Sequence, residues 1–127
     1  MSLSENDGNN ERREVERFIS GIPVLIQKKE KSGTCECTLL DLSLNGFAVR
    51  LENGKFSVNV DDEFFLIIDP ALFDIDETNH IHINSICKRI DTSTSILAAI
   101  YFENTEVITK HIKVIVNCFK KINENAY

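Results

Sequence analysis

The stretch IPVLIQKKEKSGTCECTLLDLSLNGFAVRL, residues 22–51, decides the fold. Ile22, Val24 and Ile26 fall on alternate positions before the polar run Gln27 to Lys31. Period-two alternation turns one side of a strand toward a core and the other toward water. Ser32-Gly33 reads as a hairpin turn, because glycine tolerates positive φ and serine favours turns. Thr34 to Leu42 alternates again, with Cys35, Cys37 and Leu39 on one face. Asn45-Gly46 then breaks the run ahead of a short third strand, Phe47 to Leu51.

Working outward, Glu52-Asn53-Gly54-Lys55 is another turn signal, and Phe64 to Ile68 is a compact apolar strand ended by Asp69-Pro70. The acidic segment Asp74 to Asn79 reads as a loop. His80 to Ile90 and Ile96 to Phe102 make two more strands around Asp91-Thr92-Ser93. Short strands separated by turn signals indicate an antiparallel barrel or sandwich. The period then changes. Ile108, Ile112, Ile115, Phe119 and Ile122 recur at steps of four and three, which aligns them on one face of a helix. Asn104 or Thr105 is its expected N-cap. The expectation is an all-β fold, a six-stranded antiparallel β-barrel, whose open end or side is covered by the C-terminal helix.

The chain has 127 residues, enough for one compact domain and too few for two ordinary ones. Residues 1–10 read as a flexible polar tail and 11–127 as the domain. A formal net charge of -6 argues against wrapping a nucleic-acid backbone, whose phosphates demand a basic surface. It leaves a small anionic ligand open, since a few converging arginines suffice. No apolar run approaches the roughly 18 residues that cross a bilayer. The N-terminus MSLSENDGNN lacks the apolar centre of a secretory signal. With four cysteines and no export signal, the expected location is the reducing cytoplasm.

Two short constellations carry chemistry. Arg12-Arg13-Glu14-Val15-Glu16-Arg17 precedes the first strand, and Asp41-Leu42-Ser43-Leu44-Asn45-Gly46 closes the second. In order and separation they resemble the two signatures of the PilZ family, RxxxR and [D/N]xSxxG, and the resemblance spans nearly all of residues 11–122. It implies a receptor for cyclic di-GMP, with ligand contacts from Arg13, Arg17, Asp41, Ser43 and Gly46, and with Arg12 as a further candidate toward a second stacked ligand. The chemistry suits those residue types. An arginine fork pairs with phosphate oxygens or the Hoogsteen edge of guanine and stacks on the base. A carboxylate accepts from guanine N–H groups, and a serine hydroxyl donates or accepts.

The resemblance further implies a protein target in motility, biofilm formation or virulence, reached when ligand orders the arginine segment. The alternative is an adaptor of the same fold that binds no nucleotide. A monomer or weak dimer is expected, with no cofactor beyond the ligand. One position departs from the family pattern, since Ala99 stands where many members have glycine. Cys35-x-Cys37 and His80-x-His82 lack the paired spacing of a zinc site. Asp74-x-Asp76-x-Thr78 lacks the glycine and glutamate of a calcium loop. No catalytic motif stands out, and an enzyme is not expected.

Overall fold

The computed structural model describes residues 21–29, 33–52 and 58–125, the last four by backbone only. Six strands lie in these segments: β1 (Ile22–Lys28), β2 (Cys35–Leu42), β3 (Gly46–Leu51), β4 (Glu63–Ile68), β5 (Ile81–Asp91) and β6 (Ile96–Tyr101). The helix α1 (Glu106–Asn125) follows. The strands close into an antiparallel barrel in the order β1-β2-β3-β6-β5-β4. Inward residues such as Val24, Ile26, Leu39, Val49, Phe64, Leu66, Ile83 and Leu97 alternate with outward ones and fill the interior. Near the seam between β1 and β4, Lys28 pairs with Asp62 at 3.3 Å and Lys29 with Glu63 at 2.8 Å.

The helix covers the barrel end where β1, β3 and β5 begin and β2, β4 and β6 finish. Its buried face is Ile112, Ile115, Val116 and Phe119, with Ile108 half-buried, close to the expected stripe. Thr105 caps it, its hydroxyl accepting from the Ile108 N–H at 3.2 Å. Asn104 has another task. Its side chain accepts from the Asn84 N–H at 2.7 Å and donates to the Asn84 carbonyl at 2.9 Å, extending the β5 ladder past the end of β6. The Asp69-Pro70 signal opens a single 3-10 turn, Pro70–Phe73, capped by the Asp69 carboxylate. That turn delivers Phe73 onto Phe119 of the helix, with ring centroids 6.4 Å apart.

Two strands depart from simple alternation. In β2 the pairing with β3 slips between Leu39 and Asp41, so that Leu40 is an extra residue. Continuing the series Cys35, Cys37, Leu39 would turn Asp41 into the core, where an unpaired carboxylate is prohibitively costly. The bulge resets the phase, leaving Asp41 exposed and Leu42 buried. In β5 the same device sits between Cys87 and Arg89, and both Lys88 and Arg89 are exposed.

Candidate ligand site

The second constellation lies at the helix-covered end, where β2 passes into β3. Ser43 organises the turn between them. Its hydroxyl oxygen accepts from the backbone N–H of Asn45 at 3.2 Å and of Gly46 at 3.3 Å. Its own N–H donates to the Gly46 carbonyl at 2.8 Å. The side-chain oxygen thus holds the turn, while the hydroxyl proton faces only the Gly46 carbonyl at 3.3 Å and can be redirected.

Gly46 has a different reason from the one its place in the motif suggests. It is a buried strand residue, paired with Ile100 of β6. A Cβ there would stand 2.2 Å from the Ala99 carbonyl oxygen, a backbone atom that cannot swing aside. Glycine is required so that β3 and β6 can approach, whatever binds outside. Ala99 itself points inward and is buried, so its methyl packs in the core and does not alter the outer wall.

Tyr101 is the residue that sequence reasoning missed. From the end of β6 its hydroxyl donates to the Ser43 carbonyl at 2.7 Å, with the Gly46 carbonyl 3.2 Å away, and its ring stacks on Phe47 at 5.9 Å. Its backbone N–H donates to Asn45. Burial, and after it the Asp41 carboxylate, push the phenol well above its ordinary pKa, so it remains a donor. The available signal was a polar-tipped aromatic ending an otherwise aliphatic run, Ile96 to Ile100.

Asp41 is exposed on the outer wall, opposite Ala48 of β3. Ala48 in turn lies opposite Ala98 of β6, so two methyl groups follow the carboxylate along this row before Arg89 of β5. Arg12, Arg13 and Arg17 lie outside the described residues. The described chain begins at Gly21, beside Thr38 of β2, and Ile22 pairs with Leu39, two positions before Asp41. An open groove of about 560 Å3 over β1 and β2 is lined by Glu36, Glu52 and Asp69 among apolar residues such as Pro23 and Leu25. Three carboxylates make it a poor place for an anion.

The cysteines and histidines are separated. Cys37 is buried, and desolvation, then the neighbouring Cys35, push its thiol far up in pKa, which keeps it protonated and unreactive. Cys87 is raised by burial as well. His82 packs edge-on against Phe65, and His111 on the helix lies 3.4 Å from Glu77.

Residues 11–116 match the family model of the PilZ domain. No curated protein sequence matches significantly. Among solved structures, the chain is similar to the PilZ domain with c-di-GMP of YcgR from Escherichia coli, at 17% identity and a TM-score of 0.61, covering 84% of this chain and 91% of that one. It is also similar to the PilZ domain of CeSA from a cellulose-synthesizing bacterium, at 15% identity and 0.58, covering 80% and 95%. A third likeness is to the Bacillus subtilis inhibitor of motility MotI/DgrA, at 19% identity and 0.57, covering 84% of this chain and 49% of that one.

Proposed function

This chain belongs to the PilZ domain family, and from that premise we propose that it is a cyclic di-GMP receptor. Arg12, Arg13 and Arg17 supply the guanidinium groups, Asp41 accepts from guanine, and Ser43 holds the turn and offers its hydroxyl proton. Ligand draws the arginine segment onto the wall near Asp41, and the surface so formed engages a protein target.

One observation carries this reading. The pairing of Ile22 with Leu39 brings the start of the barrel beside the strand that bears Asp41. Three residues lie between Arg17 and Gly21, and four extended steps along the chain reach about 14 Å, ample to bring the guanidinium over the carboxylate. The similar E. coli domain was solved with c-di-GMP, and the B. subtilis relative is an inhibitor of motility, which supports the ligand and one class of output.

Titration calorimetry with cyclic di-GMP tests it. Arg13→Ala and Arg17→Ala are each expected to weaken binding by about 2–5 kcal/mol, the usual cost of truncating one partner of a desolvated charge pair. Wild-type affinity in both variants, or no binding by the unaltered chain, would defeat the reading and leave the adaptor that binds no nucleotide.

A further inference from the structure

We infer that Arg50 reads guanine together with Asp41, across the outer wall of β2 and β3. The inference rests on the cyclic di-GMP reading above and extends it to a residue outside both motifs.

Arg50 is exposed and points outward from β3, two residues beyond Ala48, which lies opposite Asp41. Diagonal neighbours of this kind stand roughly 7–8 Å apart. Beside Asp41 the outward row carries the methyls of Ala48 and Ala98, with Thr38 and Ile96 flanking Arg50 in the next row and Ile100 opposite Gly46 on the other side. The result is a shallow ledge with a carboxylate at one corner and a guanidinium at the other. No ion pair joins Arg50 to a described residue. The nearest acid in sequence, Glu52 just past the end of β3, accepts a hydrogen bond from the Thr38 hydroxyl.

The charges match one base and not the other. Guanine offers N–H donors on its Watson–Crick edge and the acceptors O6 and N7 on the adjoining edge, and arginine is the usual partner of that second edge. Lying flat on the alanines, guanine meets Asp41 with its donors and Arg50 with its acceptors. Adenine would set an acceptor against the carboxylate and an amino group against the guanidinium. The second outward arginine, Arg89, sits on β5 opposite Ala98, two strands from Arg50 and three from Asp41, about 14 Å along the wall from the carboxylate and beyond the span of one base. It makes an internal control.

The experiment is calorimetry with cyclic di-GMP and with its analogue carrying C–H in place of N7 on both guanines. The unaltered protein is expected to prefer the parent ligand by about tenfold, the scale of a guanine-edge contact. Arg50→Ala should bind the parent about tenfold more weakly and lose most of that preference, with an unchanged melting curve, while Arg89→Ala matches wild type. An undiminished preference in Arg50→Ala, including an equal loss for both ligands, would overturn the inference, as would a wild type indifferent to the analogue. If Arg13→Ala and Asp41→Ala bind cyclic di-GMP like wild type, the receptor reading itself fails and takes this one with it.

Discussion

The bulges in β2 and β5 solve the same problem three strands apart, at the two ends of one outward row, Asp41, Ala48, Ala98 and Arg89. Each inserts one residue, and each lets a charged side chain escape a phase that would have buried it: Asp41 in one case, Arg89 in the other. Beyond the β2 bulge the chain enters a turn held by Ser43 and pinned by Tyr101, next to bare alanine wall. Around the β5 bulge Lys88 faces Asp61 at 3.9 Å, and the strand ends in a turn where Ser93 donates to its own Asp91. Escape from the core is therefore general. Both charges border the alanine row, and the candidate site lies at the one that also meets the turn held by Ser43.

Several measurements would break or sharpen that contrast. The largest effect on the fold is expected from Gly46→Ala, where the new methyl meets backbone and overpacking costs about 2–3 kcal/mol or more in urea denaturation. Gly33→Ala, with nothing near its Cβ, is expected to change stability by less than about 0.5 kcal/mol. Next come two deletions. Removing Leu40 or Lys88 restores regular alternation while keeping Asp41 or Arg89 outward, at about 1–2 kcal/mol each. Cyclic di-GMP affinity is expected to collapse in the first and persist in the second. Equal affinity in both would show that the β2 bulge does nothing for the ligand.

Tyr101→Phe keeps the ring stack and removes one hydrogen bond, for a loss of about 1 kcal/mol. Its pH dependence carries a sign. The folded phenol holds its proton more tightly than the unfolded one, so this contribution is intact at neutral pH and fades as pH rises past about 10, the unfolded value. The difference between wild type and Tyr101→Phe should therefore shrink in alkali.

Strands, helix and the Asp41–Gly46 motif were legible because each depends on a local pattern. The bulges were not. Cys35, Cys37 and Leu39 extrapolate smoothly to the wrong face, and only the cost of burying Asp41 hints at an interruption. The motif showed that Gly46 mattered but not why, since the reason is the Ala99 backbone, more than fifty residues away. Tyr101 was equally hidden, because a hydrogen bond back to Ser43 is a property of the closed sheet. Asn104 and Thr105 looked interchangeable as caps, and tertiary pairing with Asn84 separates them.

A closed sheet has one more consequence. Every strand of this barrel has two neighbours, so among the described residues no strand is left with a free edge along its whole length to recruit an extended peptide or to seed stacking between copies. Whatever docks on the barrel must recognise side chains, and its choice of surface can be altered by substitution without disturbing the ladder beneath.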